Sequence, residues 1–203
     1  MRKISDIMGG QTLLPIIQAD NVEDGVAIAK AMSAAGLSTV EVVLRAENSA
    51  KCITAIKEVL PDMIVSAGTV VDKASLDTAI NAGADFIVTP AVTESLLTML
   101  VESGLPVLPG VSNVSDIVLA REHEFREMKL FPASLSGGAS FLKAVGGLFK
   151  DTTFCPTGGV SPDNFHDYLS LGNVFAAGGT WVAKPQWVAD KQWNLITEAC
   201  SQV

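Results

Sequence analysis

Eight short runs of apolar, largely β-branched residues recur along this chain at nearly constant intervals, and that spacing restricts the fold more than any other feature. The runs are Leu13 to Ala19, Thr39 to Leu44, Ile64 to Thr69, Phe86 to Pro90, Val107 to Val111, Glu127 to Pro132, Thr153 to Gly159 and Val174 to Thr180. Successive starts lie 20 to 26 residues apart, room for one strand, one helix and two short loops. The runs are continuously apolar rather than alternating, so both faces are buried, as in a parallel sheet covered by helices. No linker, composition shift or low-complexity stretch interrupts the series. The pattern predicts an α/β architecture, a closed (β/α)8 TIM barrel forming a single domain over residues 1–203, in preference to an open doubly wound sheet. The residues from Arg2 to Met8 are expected to form a short N-terminal helix closing the bottom of the barrel.

The intervening segments carry apolar residues three and four apart, the mark of an amphipathic helix. Val26, Ala29 and Met32 form such a stripe between Val22 and Ala35, and Ile53, Ile56 and Leu60 another between Ser49 and Leu60. Asp72 and Thr93 are expected as N-caps and Pro162 in a first helical turn. Gly36, Gly83, Gly104 and Gly172 stand where helix C-termini call for a left-handed residue.

Composition narrows the function. Fourteen Lys and Arg against twenty-two Asp and Glu give a net charge of −8, the wrong sign for tracking a phosphate backbone, so nucleic acid is not an expected partner. No apolar run reaches the roughly 18 residues that cross a bilayer, and the start lacks a signal-peptide pattern. A cytoplasmic protein with no membrane partner is expected. Cys52, Cys155 and Cys200 lack disulfide or zinc spacing and read as reduced core thiols. His123 and His166 fall in polar helical stretches and read as surface residues. No HExxH, His and carboxylate cluster or Walker-type loop occurs, so neither a metal nor another cofactor is expected.

In such a barrel the active site lies at the C-terminal ends of the strands, and three polar interruptions occur there. Lys129 sits within the apolar run Glu127-Met-Lys-Leu-Phe-Pro132, and an ammonium is costly to bury unless paired, neutral or covalently used. Alternation puts it on one face with Glu127 and Phe131, pointing inward if Met128 and Leu130 pack under the helices. A structural ion pair with Glu127 or another carboxylate explains it equally well. Glu41 and Arg45 share a parity on the second run; they could be a base and a rim cation, or a buried pair. Gly158-Gly159 and Gly178-Gly179-Thr180 end the seventh and eighth runs, the usual phosphate site of these barrels, where glycines let backbone N–H groups approach an anion. Either Gly pair alone also suits an ordinary tight turn.

With these residues in place, the sequence resembles the class I 2-keto-3-deoxy-6-phosphogluconate aldolases, the KDPG/KHG aldolase family. The resemblance covers essentially the whole chain, through Val40-Glu41-Val42-Val43-Leu44-Arg45, Gly68-Thr69-Val70, Val88-Thr89-Pro90, Pro109-Gly110-Val111-Ser112, Lys129-Leu130-Phe131-Pro132-Ala133, Phe154-Cys155-Pro156-Thr157-Gly158-Gly159-Val160 and Gly178-Gly179-Thr180-Trp181. The resemblance implies a carbon-carbon lyase that cleaves 2-keto-3-deoxy-6-phosphogluconate to pyruvate and glyceraldehyde 3-phosphate, and 2-keto-4-hydroxyglutarate to pyruvate and glyoxylate. It further implies Lys129 as the Schiff-base lysine and Glu41 as the general acid/base. Arg45, Thr69, Pro90, Phe131 and Thr157 would line the pyruvate and hydroxyacyl portion, and Gly158, Gly159, Gly178, Gly179 and Thr180 would hold phosphate. By the same resemblance the chain is expected as a homotrimer acting on a phosphorylated keto acid, without metal or cofactor.

Two positions depart from the family pattern. Thr180 stands where many relatives have Ser, and Gln18 where some have Arg, so the stereochemistry of the sugar acid accepted stays open. The competing readings are a 2-keto-3-deoxy-6-phosphogalactonate aldolase, a phosphate-binding barrel isomerase or epimerase without imine chemistry, and a non-catalytic sugar-phosphate-binding barrel.

Overall fold

The structure, a computed structural model, describes residues 2–203. A short helix α1 (Ile4–Ile7) precedes a chain of alternating strands and helices: β1 (Leu13–Ile17), α2 (Val22–Ala34), β2 (Thr39–Val43), α3 (Ser49–Val59), β3 (Ile64–Gly68), α4 (Lys73–Asn81), β4 (Phe86–Val88) and α5 (Glu94–Glu102). The fifth predicted strand is split into β5 (Val107–Leu108) and β6 (Gly110–Val111). After α6 (Val114–Glu122) come β7 (Glu127–Leu130), α7 (Gly138–Gly146), β8 (Thr153–Pro156), α8 (Pro162–Leu169), β9 (Ala177–Gly179), α9 (Pro185–Ala189) and α10 (Trp193–Ser201).

All strand pairs are parallel, in the orders β5-β4-β3-β2-β1-β9 and β6-β7-β8. Two connections close these sheets into one ring. Pro109, which has no N–H to donate, interrupts a single barrel strand to give β5 and β6. On the far side, parallel bridges join Phe154 to Val174 and Thr157 to Gly178, linking β8 to β9. The predicted eight-stranded barrel is therefore present. Its eighth strand starts later than the Val174 expected from sequence, because residues 174–176 pair through the single Phe154 bridge rather than a ladder.

Strand alternation sorts the core into two layers. Met128, Leu130, Val40, Val42, Val65, Ala67 and Ile87 point outward and join the main apolar cluster under the helices. Leu14, Phe86, Val88, Leu108, Cys155 and Ala176 point inward and form a separate cluster with Ile4, Ile7 and Met8 from the N-terminal segment. Helix α1 thus seals the barrel floor, as expected, and its Ser5 takes up the inward-facing Glu127 there.

The punctuation largely follows the sequence. The side chains of Asp72 and Thr93 accept from the backbone N–H groups of Ser75 and Leu96, and Pro162 opens α8. Gly36, Gly83 and Gly104 are left-handed, at φ of 87°, 80° and 71°. Gly172 is not: α8 ends with Ser170 in a right-handed conformation, so that helix stops without a left-handed glycine. All three cysteines are free and buried. His166 is exposed, but His123 is not a simple surface residue, since its Nε2 lies 3.1 Å from Glu94 and only 17% of its side chain is exposed.

Candidate active site

Lys129 and Glu41 meet inside the barrel. β7 places Lys129 on its inward face beside Gly110 of β6 and Cys155 of β8, and β2 places Glu41 inward between Ile16 and Ser66. The Nζ of Lys129 donates to Oε1 of Glu41 at 3.2 Å and to Oε2 at 3.5 Å. Glu41 is wholly buried and Lys129 is 5% exposed. Of the pairings considered from sequence, that of Lys129 with another carboxylate is realised, Glu41 being that carboxylate, whereas Lys129 with Glu127 and Glu41 with Arg45 are not. Glu127 is bound at the floor by Ser5, and Arg45 reaches across the rim, where its Nε donates to Oγ1 of Thr69 at 3.1 Å.

Above this pair opens a cavity of about 190 Å³ lined by Arg45, Lys129, Phe131, Thr157, Gly158, Gly159, Gly179 and Thr180, together with Ile16, Gln18, Val43 and Val160. Eight of the twelve residues singled out from sequence thus line one cavity. Glu41 lies beneath the opening, in contact with Lys129. Thr69 acts from the rim through Arg45. Pro90 is not on the lining and packs at the end of β4, close against Gly110. Gly178 also stands behind the wall: a Cβ there would come within 2.8 Å of the Thr157 methyl carbon and of the Leu14 carbonyl oxygen, so its small size seats Thr157. The walls that sequence reasoning missed are Ile16 and Val43, whose only signal is their parity on β1 and β2, and Val160, which stands in the loop after β8.

The lining is chemically asymmetric. The amine of Lys129 lies with the Phe131 ring 5.2 Å from its Nζ, and Arg45 enters from the rim beyond β2. After the neighbouring strand β8, Gly158 and Gly159 are both left-handed, at φ of 84° and 81°. Among the described residues no acceptor is paired with the N–H groups of Gly158, Gly159 or Thr180, which leaves three backbone donors at the cavity wall for an anion. The hydroxyl of Thr157, another lining residue, is fully buried and has no hydrogen-bond partner among the described residues. A buried hydroxyl without a partner costs free energy; Thr39 Oγ1 is unpaired among the described residues as well, and of the two only Thr157 lines the cavity. No group of three or more His, Cys, Asp or Glu is gathered as a metal site among the described residues.

The chain matches the KDPG and KHG aldolase family over residues 4–199. It belongs to that family. The 2-dehydro-3-deoxy-phosphogluconate aldolase of Pseudomonas aeruginosa is 45% identical over 170 residues, which is 84% of this chain and 77% of the relative. The KHG/KDPG aldolase of Escherichia coli K12 is 41% identical over 84% of this chain and 80% of its own. Among solved structures, the KDPG aldolase of Legionella pneumophila, with pyruvate captured at low pH as a covalent carbinolamine intermediate, superposes with a TM-score of 0.96 at 33% identity. That match covers 100% of this chain and 98% of the other. The family's barrel is thus present from end to end, and no helix among the described residues is long and apolar enough to cross a membrane.

Proposed function

We propose that this chain is a class I aldolase that cleaves 2-keto-3-deoxy-6-phosphogluconate to pyruvate and glyceraldehyde 3-phosphate, and 2-keto-4-hydroxyglutarate to pyruvate and glyoxylate. One observation carries this reading: a single buried amine lies 3.2 Å from a fully buried carboxylate, at the base of a cavity whose lining offers backbone donors. A purely structural ion pair needs no opening above it.

The geometry supports the following course. In a desolvated pair at hydrogen-bond distance, the ammonium proton can pass to Glu41, leaving Lys129 with a free electron pair. The amine adds to the C2 ketone, and the carbinolamine loses its oxygen as water to give a cationic imine. Glu41, ionised again, takes the C4 hydroxyl proton directly or through water. The C4–O bond becomes the aldehyde carbonyl, the C3–C4 bond breaks, and its electron pair passes through C3 and C2 onto the imine nitrogen. The resulting enamine is protonated at C3 by Glu41, and water releases pyruvate and the free amine. Arg45, held by Thr69, faces the carboxylate end of the keto acid. Thr157 gives its unpaired hydroxyl to the same portion, Phe131 shapes it with Pro90 behind the lining, and Gly158, Gly159, Gly179 and Thr180 receive the phosphate, with Gly178 behind them. The imine is the electron sink, so the scheme calls for no metal or other cofactor.

The barrel of residues 1–203 would carry the whole reaction as one domain. We also read the assembly as a homotrimer and the location as cytoplasmic. The trimer rests on the resemblance to the KDPG and KHG aldolase family. The decisive test is reduction with borohydride in the presence of pyruvate, followed by peptide mapping. A 1-carboxyethyl adduct on Lys129 is expected. No adduct, with turnover of a sugar phosphate but no carbon-carbon cleavage, would favour the isomerase reading. A panel with the galactonate epimer assigns the preferred C4 configuration.

A further inference from the structure

The Glu41 carboxylate is held in an unusual way. A fully buried carboxylate is ordinarily fixed by several donors. Among the described residues, the only hydrogen bonds to Glu41 come from Lys129, at 3.2 and 3.5 Å. That single contact is with the group which, in the proposed reaction, must leave it to become an imine nitrogen. Something other than hydrogen bonding therefore has to hold the carboxylate in place while Lys129 is otherwise engaged.

Gly68, the last residue of β3, supplies the answer. Its neighbour across the β2–β3 ladder is Val43, and Glu41 pairs with Ser66 two residues earlier, so the Glu41 side chain rises along the inner wall towards Gly68. A Cβ built on Gly68 would stand 2.1 Å from Oε1 of Glu41, 2.8 Å from its Cδ and 2.9 Å from its Cγ. The carboxylate thus occupies the space that any other residue's side chain would fill. Oε1 is also the oxygen nearer Lys129 Nζ. Gly68 is not at a positive φ, so backbone conformation does not require glycine there; the close approach of Glu41 does.

We infer that Gly68 is a positioning residue for the aldol step, a steric slot that sets where the Glu41 carboxylate stands relative to Lys129 and the substrate C3–C4 bond. This inference rests on the aldolase reading above. The slot sits next to Thr69, whose φ of 65° is rare for a β-branched residue and whose hydroxyl receives Arg45. The Gly68-Thr69 dipeptide therefore positions two groups: the acid/base by making room, and the rim cation by a hydrogen bond.

The test is Gly68→Ala, alone and combined with Glu41→Gln. Misplacing a reacting group by about 1 Å can cost on the order of a hundredfold in rate. Gly68→Ala is expected to lower kcat for cleavage by about that factor, with KM changed less than about threefold and borohydride still trapping pyruvate on Lys129. In the Glu41→Gln background it should add less than a twofold further loss, because the group it acts through is already disabled. A wild-type kcat in Gly68→Ala, or a full hundredfold loss added to Glu41→Gln, would overturn the inference. A crystal structure of Gly68→Ala separates this from the aldolase reading. If the parent protein fails to trap pyruvate, that reading falls, whereas a Glu41 carboxylate unmoved in the variant defeats the slot whatever the reaction is.

Discussion

Ser5 of α1 closes over Glu127 at the floor of the barrel, its amide donating to Oε2 at 3.0 Å and its hydroxyl to Oε1 at 2.5 Å. Glu127 and Lys129 share the inward face of β7, a spacing that would allow an ion pair between them. The N-terminal helix instead takes up the lower carboxylate from below and leaves the amine to Glu41, one layer higher. Ser5→Ala should cost about 1–3 kcal/mol of stability, since it strips the hydroxyl from a nearly buried carboxylate. Cleavage kcat should stay within about twofold of the parent, because the catalytic pair is untouched. Urea unfolding alongside steady-state kinetics checks both; a large fall in kcat at unchanged stability would show that floor and site are coupled.

Lys129→Met removes the proposed nucleophile and also strands the Glu41 carboxylate, which is fully buried with no other hydrogen-bond partner among the described residues. An uncompensated buried charge typically costs about 3–5 kcal/mol, so the single variant should lose borohydride trapping and melt markedly lower. Lys129→Met combined with Glu41→Gln should recover much of the melting temperature and none of the activity. If the double variant is no more stable than the single one, the pair is not what the substitution disturbs.

Thr157→Val tests the unpartnered hydroxyl. The replacement has nearly the same shape and removes a polar atom that the free protein leaves unpaired, so stability should hold or rise by up to about 1 kcal/mol. A ligand that uses the hydroxyl loses a hydrogen bond in the same exchange, so kcat/KM for the keto acid should fall roughly tenfold. Thermal melts with and without pyruvate expose the contrast. A variant that is less stable and equally active would mean that the hydroxyl serves the fold.

The fold was legible because its signal is repetitive: eight apolar runs at near-constant spacing admit few parallel arrangements, and each inward or outward assignment follows from parity once one strand is oriented. Met128 and Leu130 oriented β7 and so aimed Lys129. Spacing could not reveal which carboxylate the amine would meet, since Glu41 and Lys129 lie 88 residues apart and come together only across the closed ring. The same limit explains Gly178. Its neighbour Gly179 lines the cavity, whereas Gly178 backs Thr157 through a contact between β8 and β9 that no local pattern encodes. The missing left-handed turn at Gly172 is a smaller case: a glycine near a helix end permits that conformation without requiring it.

The three cysteines give a pH signature with a definite sign. Burial pushes the Cys155 thiol up to about 12, with the charge of Lys129 pulling it back and those of Glu41 and Glu127 adding to the rise. Burial alone pushes Cys200 up to about 12 and raises Cys52. In the unfolded chain a thiol ionises near its ordinary value of 9.0, so below that pH both states hold the proton and the thiols contribute no pH dependence. Between about 9 and about 12 the unfolded chain releases protons that the fold retains. Stability therefore falls as pH rises through that window, by up to roughly a factor of ten in the folding constant per pH unit for each fully shielded thiol. Cys155→Ala should flatten part of this alkaline slope in urea-unfolding curves taken at pH 8 and pH 10, although the cavity it leaves will lower stability at both. In the native protein at pH 8.5 a thiol reagent should label none of the three cysteines on the timescale at which it labels all three in denaturant. Rapid labelling of Cys155 in the native state would mean that the barrel interior beneath Lys129 opens to solvent, and would remove the desolvation on which the proposed amine chemistry relies.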